Sequence, residues 1–347
     1  MKNDEDRTVA GKPKSYAVGT FRPGDAEGIV LLFRGVYGEQ YPIRLFYDAE
    51  AVRRANAEGR YHSIVARDDD GAVIGVEHLY RSAPGPSLYE AGAGLVRRDW
   101  RNRGLNVAML GFLYEEFVPQ KREIEEVYGE AVCNHPFMQK VVERFRHVET
   151  GIEVALMPAE AYAKEGSAPG RVAVLAAFRC YQSKPHRIYL PAAYERELRT
   201  VYARLDDRRD LALSDLPPSP GSASQIATEV FDFARVARIS VRDVGADFPD
   251  AFARVETDAT ARKAVVLQVM VRLADPSVGF AVDELRRRGY FFGGALPRWF
   301  DEDGFLMQRL LCPPDFESIV LHSEFAKGLL ETIRRDWSRA VAEPAGR

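Results

Sequence analysis

The stretch of sequence that decides the fold runs Leu95-Val96-Arg97-Arg98-Asp99-Trp100-Arg101-Asn102-Arg103-Gly104-Leu105-Asn106. Residues 87–96 before it read as a β-strand, and residues 104–117 after it carry the apolar spacing of a helix. A strand, a polar loop and a helix therefore follow one another. The first amides of a helix lack intrahelical acceptors and lie at the positive end of its dipole, so this arrangement predicts a diphosphate site.

The residue types in the loop suit that ligand. Gly104 has no Cβ, so it lets the backbone approach a phosphate closely. Arg101 and Arg103 add positive charge on either side of Asn102. An Arg-x-x-Gly spacing alone is a weak signal, and the strand and helix around it carry most of the weight.

The stretch resembles motif A of the GCN5-related N-acetyltransferase (GNAT) superfamily. In that motif a strand ends in valine, roughly Pro-x-Tyr follows, and then comes Arg/Gln-x-x-Gly-x-Gly/Ala. The valine, tyrosine, Arg/Gln and first glycine places are taken here by Val96, Trp100, Arg101 and Gly104. Two positions depart from the motif, because Arg98 stands where proline is common and Asn106 where Gly or Ala is expected.

The resemblance implies a protein that binds acetyl-CoA, or a related acyl-CoA, as co-substrate, without a metal. Pantetheine would pair with the backbone of the strand end, and the diphosphate would lie on the loop amides. The implied cofactor-binding residues are Leu95, Val96, Arg101, Asn102, Arg103, Gly104, Leu105, Asn106 and, after the next strand, Asn134.

The rest of the chain predicts a mixed α/β fold of the α+β class. In the first half we expect a helix at residues 49–57, a hairpin, and the motif strand and helix. A strand, a helix and two more strands follow at residues 126–133, 134–145, 148–157 and 171–180, with a short helix at 159–164. The second half begins with a helix expected at residues 191–205 and later repeats that last order at residues 264–273, 276–288, 290–297 and 306–311. An ancient duplication would explain the repeat.

We therefore expect two GNAT-like domains, each a central twisted, mostly antiparallel sheet flanked by helices. Residues 1–184 would form the acyl-CoA-binding domain, and residues 185–347 a degenerate copy. No Arg-x-x-Gly-x-Gly/Ala follows a suitable strand in the second half, and the run Arg286–Gly289 ends a helix, where carbonyls rather than amides are exposed. The second copy is thus not expected to bind CoA.

Two further features of the second half concern its surface and core. The aromatic residues Tyr290, Phe291, Phe292, Trp299 and Phe300 fit a hydrophobic core and domain interface better than an acceptor pocket. Residues 301–304, Asp-Glu-Asp-Gly, read as a solvated turn.

Acylation of an amine requires the ammonium to lose a proton, and the leaving thiolate can require a proton donor. Glu90 lies on the motif strand, where relatives often carry the general base. A solvated or ion-paired carboxylate is the alternative. The helix after the next strand lacks the tyrosine that many relatives use as acid, so His135 is the nearest titratable candidate for a proton shuttle. A helix-start histidine facing solvent is its alternative.

Three neighbouring residues are weaker candidates. Cys133 could act as a nucleophile, but direct transfer is usual for the family and a buried strand cysteine fits better. Glu77 and His78 lie on the strand beside the motif strand and could line an acceptor pocket.

The bulk properties bound the function class. A formal net charge of −3 offers no global field for nucleic acid, and no apolar run approaches the roughly 18 residues of a membrane span. The N-terminus lacks the apolar core of a signal peptide, so the cytoplasm is the expected compartment. The cysteines Cys133, Cys180 and Cys312 show no metal-ligand spacing, which predicts no metal site.

The function expected from these residues is acyl transfer, most simply acetyl transfer to a primary amine of a small molecule by direct attack on the thioester. Two copies with one working site resemble tandem acetyltransferases of small-molecule and antibiotic pathways. The alternatives are a protein N-acetyltransferase and a non-catalytic acyl-CoA sensor. A monomer or homodimer is expected.

Overall fold

The computed structural model describes residues 15–39, 41–159 and 170–342. The mixed α+β class expected from the sequence is confirmed. Apart from Ala159, the short helix expected at 159–164 lies outside the described residues. Among those residues no helix is long and apolar enough to cross a membrane.

The strands of these ranges are short, and most neighbours pair antiparallel. They are β1 (Tyr16–Thr20), β2 (Tyr61–Asp68), β3 (Val73–Tyr80), β4 (Leu88–Val96), β5 (Glu126–Val132), β6 (Val148–Met157), β7 (Val172–Cys180), β8 (His186–Pro191), β9 (Arg209–Ser214), β10 (Gln225–Phe231), β11 (Val236–Asp243), β12 (Val266–Arg272), β13 (Phe291–Leu296) and β14 (Gly304–Leu310).

The helices of the same ranges alternate with these strands. They are α1 (Ala26–Tyr37), α2 (Ala49–Ala57), α3 (Leu105–Gly111), α4 (Phe137–Arg144), α5 (Glu195–Tyr202), α6 (Phe248–Ala261), α7 (Val278–Arg287) and α8 (Glu324–Ala342). The helix after the motif loop, α3, continues as a π-helical turn over Phe112–Phe117. Such wider turns recur at functional sites.

The described chain forms two compact units. The first comprises residues 15–79 and 93–118, and the second comprises residues 80–92 and 119–342. In the first, β1, β2, β3 and the end of β4 lie side by side, and α1 and α2 cover a core around Phe33, Phe46 and Val76. The loop after β4 and helix α3 both belong to this unit.

The second unit contains the remaining strands in the order β4, β5, β7, β6, β13, β14, β12, β11, β10, with a separate parallel pair of β8 and β9. Its main core lies around α5 to α8 and the apolar faces of β11 and β12. Tyr290, Phe291 and Phe292 are buried in it, and Trp299 and Phe300 are buried in a smaller cluster, as expected for core. Its β4 and β5 run parallel but pair over only three positions, from Leu88↔Glu126 to Glu90↔Tyr128.

Strand pairing in the second unit shows the internal repeat. Strand β4 pairs parallel with β5, β5 pairs antiparallel with β7, and β7 pairs antiparallel with β6. In the same way β11 pairs parallel with β12, β12 pairs antiparallel with β14, and β14 pairs antiparallel with β13. Helices α4 and α7 occupy equivalent places in the two series. The later half of the chain therefore repeats the connectivity of the earlier half.

The two series meet where β6 pairs with β13, at Gly151↔Gly294. A Cβ added to Gly294 would lie 2.3 Å from the Cα of Gly151, and one added to Gly151 would lie 3.0 Å from the carbonyl oxygen of Gly293. Side chains at these positions would force the strands apart, so glycine is required for their close approach.

Two features differ from the sequence-based expectation. A helix over residues 191–205 was expected, but strand β8 runs to Pro191 and α5 begins only at Glu195. The acidic turn at residues 301–304 is not simply solvated, because Asp303 is fully buried among cationic partners. Local turn chemistry could not show that arginine side chains from distant segments converge on it.

Candidate functional site

The loop after β4, residues 101–106, is called the phosphate loop below. Asn102 and Gly104 adopt left-handed φ angles of 61° and 75°, a conformation that glycine and asparagine tolerate best. Gly104 is the N-cap of α3, and its carbonyl accepts the amide of Ala108 at 2.9 Å. A Cβ on Gly104 would meet no heavy atom within 4 Å. The backbone here therefore faces open space at the positive end of a helix.

The arginine side chains in and beside the phosphate loop make contacts with neighbouring residues of the chain. Buried Trp100 anchors the preceding turn, and the guanidinium of Arg103 lies 5.4 Å from its ring centre. Arg101 is exposed, and its Nε donates to the carbonyl of Val96 at 3.4 Å. Arg97 pairs with Asp99 at 2.8 Å. Arg101 and Arg103 thus place positive charge where the first amides of α3 emerge.

The apolar residues of the motif act as anchors. Leu95 is buried against the core below α1, and Leu105 is 2% exposed. Val96 and Asn106 are partly buried. Since the side chains of Leu95 and Leu105 are committed to packing, a ligand in this region would meet mainly the backbone and the side chains of residues 101–103.

The glycines of strand β4 leave room for side chains of the adjacent strand β3. Ala93 has a φ of 53°, a break in the regular strand of the kind found at bulges. A Cβ on Gly92 would lie 2.9 Å from the hydroxyl of Tyr80. A Cβ on Gly94 would collide with the carboxylate of Glu77.

Glu90 is the polar centre of the β4 segment in the second unit. Its Oε1 accepts a hydrogen bond from Tyr80 Oη at 2.7 Å, and its Oε2 accepts one from Tyr128 Oη at 3.0 Å. Ser82 Oγ lies 2.5 Å from the same Tyr128 hydroxyl. Three hydroxyl side chains from β3, β5 and the intervening loop therefore fix the orientation of a partly buried carboxylate.

The electrostatics around Glu90 suit a proton acceptor. Burial raises the pKa of Glu90, and the nearby Glu130 carboxylate raises it further, while the bonds from Ser82 and Tyr80 oppose the shift. Burial and the adjacent Glu90 also raise the pKa of Tyr128, so that phenol keeps its proton. A carboxylate with a raised pKa is a better base near neutral pH than an ordinary one.

The second repeat contributes to this polar group. Arg238 of β11 donates to Glu130 of β5 at 3.1 Å and to Glu153 of β6 at 3.2 Å, and its Nε donates to Gln268 of β12 at 3.0 Å. Burial, and next the neighbouring Glu153, raise the pKa of Glu130 to about 7. We call Glu90, Glu130, Glu153 and Arg238 the carboxylate cluster.

Sequence reasoning missed Tyr80, Tyr128 and most of the carboxylate cluster. A weak signal existed, because Glu130 and Arg238 each interrupt a short apolar run within a strand. Charged residues are seldom buried unless they are paired, so two such interruptions indicate mutual partners. Their pairing across distant strands could not be read from spacing.

The remaining candidates on β3 are core residues. His78 Nδ1 lies 2.8 Å from Ser63 Oγ, and burial lowers the pKa of His78 to about 3, so the ring stays neutral. Burial raises the pKa of Glu77 to about 8. Glu77 belongs to the same unit as the phosphate loop and lies over Gly94.

The residues after β5 form a separate group in the second unit. Asn134 and His135 are partly buried in the turn before α4, and the His135 ring lies 5.0 Å from that of Phe137. The end of β5 is four residues past Tyr128, or about 13 Å at ~3.3 Å per residue, so His135 does not join the hydroxyls around Glu90. Burial raises the pKa of the Cys133 thiol to about 12, which fits an inert core cysteine.

The equivalent of the phosphate loop in the second repeat lies between β11 and α6. There the amide of Gly245 donates to Ser224 Oγ at 3.0 Å, and that of Ala246 donates to the Ser222 carbonyl at 3.0 Å. A Cβ on Gly245 would collide with residues 222–224. Because the chain itself occupies these amides, the loop is not arranged for a phosphate.

The fold and site together describe a mixed α/β protein with a basic loop at a helix start and a partly buried carboxylate on the preceding strand. No family model and no curated protein matches the chain. Solved structures similar to it include N-acetyltransferases, each matched over about half of this chain.

Three of these structures illustrate the range. A spermidine/spermine N-acetyltransferase of Vibrio cholerae is 13% identical, with 48% of this chain and 95% of that chain covered and a TM-score of 0.37. An N-acetyltransferase of Staphylococcus aureus is 11% identical, with 48% and 99% covered and a TM-score of 0.39. A ribosomal-protein alanine N-acetyltransferase of Escherichia coli is 13% identical, with 49% and 96% covered and a TM-score of 0.38.

Proposed function

We propose that this chain is an acyl-CoA-dependent N-acyltransferase of the GNAT type, which transfers an acetyl group from acetyl-CoA to a primary amine of a small molecule. The observation that carries the proposal is the phosphate loop. Its left-handed Asn102 and Gly104, its exposed Arg101 and Arg103, and the open space at the start of α3 together suit a diphosphate.

In the proposed reaction the amine nitrogen attacks the thioester carbonyl carbon, the new C–N bond forms, and the C–S bond breaks to release CoA. Glu90 takes the proton that the ammonium must lose. Tyr80 and Tyr128 hold the carboxylate in place, and Tyr128 keeps its own proton. Protonation of the leaving thiolate by His135 stays a prediction from the sequence.

We assign one cofactor site to the chain. The domain division proposed from the sequence, residues 1–184 and 185–347, places the phosphate loop in the first domain. The filled loop after β11 supports a second domain that does not bind CoA. Instead, Arg238 of the second domain donates to Glu130 and is itself held by Gln268. The second domain therefore helps to position Glu130.

A small-molecule amine is the acceptor that we favour, because partly buried Glu90 and buried Glu153 give the cluster more carboxylates than the single guanidinium of Arg238 can neutralise. A cationic amine would be attracted there. An antibiotic pathway, a cytoplasmic location and a monomeric or homodimeric state remain predictions from the sequence.

The direct test is thiol release from acetyl-CoA with a panel of small amines, compared with lysine-containing peptides and free N-terminal peptides. Turnover with small amines is expected. Turnover restricted to peptides would identify a protein acetyltransferase. Tight acetyl-CoA binding without turnover on either class would identify the sensor alternative.

Replacing Gly104 with alanine is expected to weaken acetyl-CoA binding at least about 10-fold, because the added methyl group faces the proposed diphosphate and alanine resists the left-handed conformation. Isothermal titration measures the change. Gly71→Ala is a matched control, since Gly71 also has a positive φ, of 80°, and open space around its Cβ position. Equal losses in both variants would mean that backbone strain, and not the ligand site, explains the effect.

Tyr80→Phe is expected to move the acidic limb of the pH–rate profile to higher pH. The Tyr80 hydroxyl donates to the Glu90 carboxylate and so favours its ionised form. Without that donor the pKa of Glu90 rises, and activity is lost at a higher pH as protons are added. The measurement is kcat/KM against pH for the amine. An unchanged limb would show that another group provides the base.

A further inference from the structure

A group of buried side chains in the second unit is left unused by the proposed reaction. Glu126 begins β5, Cys180 ends β7, and these two residues are cross-strand partners, so their side chains share one face. Asp207, in the segment before β9, approaches the same point. One ligand atom from each of the three lies within 4.8 Å of the others.

Each carboxylate in this group has one buried oxygen without a hydrogen-bond partner, and the carboxylate of Asp207 is held through its other oxygen. Asp207 Oδ1 accepts from Ser183 Oγ at 2.8 Å and from the amides of Lys184 and Arg208 at 2.9 and 3.0 Å. Its Oδ2 is buried without a hydrogen-bond partner. Glu126 is 1% exposed, and its Oε2 is also buried without a hydrogen-bond partner. Fixing one carboxylate oxygen from behind is how proteins aim the other at a metal.

Acidic side chains outnumber cationic ones around Glu126. Burial raises the pKa of Glu126, Arg209 opposes the shift, and Asp303, Asp207 and Asp206 raise the pKa further. Arg209 is engaged with Asp303 at 2.5 Å and lies 3.8 Å from Asp207, which is too long for a hydrogen bond. A divalent ion would offset the negative charge that Arg209 leaves unpaired.

We propose that Glu126, Cys180 and Asp207 form a binding site for a divalent transition-metal ion of the zinc class. Carboxylate oxygens and a thiolate are ligands that zinc accepts, at about 2.0–2.2 Å and about 2.3 Å. Binding would require the ligand atoms to lie roughly 3.5 Å from one another, which is inside the 4.8 Å within which they already lie. The ion would link the start of β5 and the end of β7 to the segment before β9. With three protein ligands, a tetrahedral site would leave one coordination position for water.

The proposal departs from the expectation that the chain has no metal site. That expectation rested on cysteine spacing, whereas these ligands come from three separate segments and only one is a cysteine.

The test uses the full chain stripped with a chelator and then titrated with Co²⁺. One equivalent is expected to bind and to produce a thiolate-to-cobalt charge-transfer band in the near ultraviolet, which Zn²⁺ then abolishes by displacement. Cys180→Ser should eliminate the band and weaken Co²⁺ binding at least about 10-fold. Glu126→Gln should weaken binding while keeping the band.

Cys312→Ser is the matched control, because Cys312 is also partly buried but belongs to no such carboxylate group. It should leave the band and the stoichiometry unchanged. The proposal is overturned if the unaltered chain gives no band at one equivalent, or if the band persists in Cys180→Ser. Because the unaltered chain decides the first point, a variant that fails to fold does not leave the question open.

Discussion

Glu90→Gln lowers turnover about 100- to 10,000-fold while acetyl-CoA binding stays near its original strength. That range is the usual contribution of a positioned general base. Glutamine keeps the volume of the side chain and its acceptor oxygen, so one of the bonds from Tyr80 and Tyr128 survives. It cannot accept a proton from the amine, so the loss should appear in kcat/KM for the amine and not in the dissociation constant of acetyl-CoA.

The matched comparison is Glu77→Gln. Glu77 is also a buried glutamate with a raised pKa, but it lies on β3 against Gly94, whereas the hydroxyls that hold Glu90 belong to Tyr80 and Tyr128. We expect a much smaller effect on turnover from this change. If Glu77→Gln removes activity and Glu90→Gln does not, the base has been assigned to the wrong strand.

Asp303→Asn is expected to destabilise the protein by about 3–5 kcal/mol, the cost of breaking a buried ion pair by removing one partner. Asp303 is fully buried and accepts from Arg209 at 2.5 Å, from His186 at 3.2 Å and from the amide of Arg298 at 2.9 Å. Arg209, whose side chain is 3% exposed, would lose the one carboxylate to which it donates directly and would keep only the longer contact to Asp207, at 3.8 Å.

Denaturant unfolding of the unaltered protein and of Asp303→Asn measures the difference in their free energies of unfolding. Asp210→Asn is the control, because the Arg187–Asp210 pair is 60% exposed on both sides and such surface pairs contribute about 0–1 kcal/mol. A loss for Asp303→Asn no larger than the loss for Asp210→Asn would mean that the buried network contributes little to stability.

Local signals in the sequence predicted the local parts of this structure well. The bounds expected for α2 and β6 are those observed, because helix and strand periods are properties of neighbouring residues. The start of α3 at Gly104 was also expected, since a glycine between a polar loop and an apolar helix marks such a boundary. The sequence was thus sufficient to place the phosphate loop.

Long-range contacts were predicted poorly, for a physical reason. Glu90 was named as a base, but the hydroxyls of Tyr80 and Tyr128 that hold it come from other strands. Asp303 was read as solvated, since an acidic run beside a glycine has that appearance whenever its partners are distant in sequence. Strand β9 escaped notice because only its pairing with β8 reveals it. Pairing depends on register, which no local window contains.

The seam between β6 and β13 has a consequence for how the chain associates. An outer strand presents unsatisfied amides and carbonyls that can recruit another polypeptide. Here the outermost strand of one repeat, β6, pairs with the outermost strand of the other, β13, at Gly151 and Gly294 within a single molecule. Joining them covalently makes their encounter intramolecular, at an effective concentration that dilution cannot lower. The partnership of the two repeats should therefore persist at concentrations where a comparable pair of separate chains would fall apart.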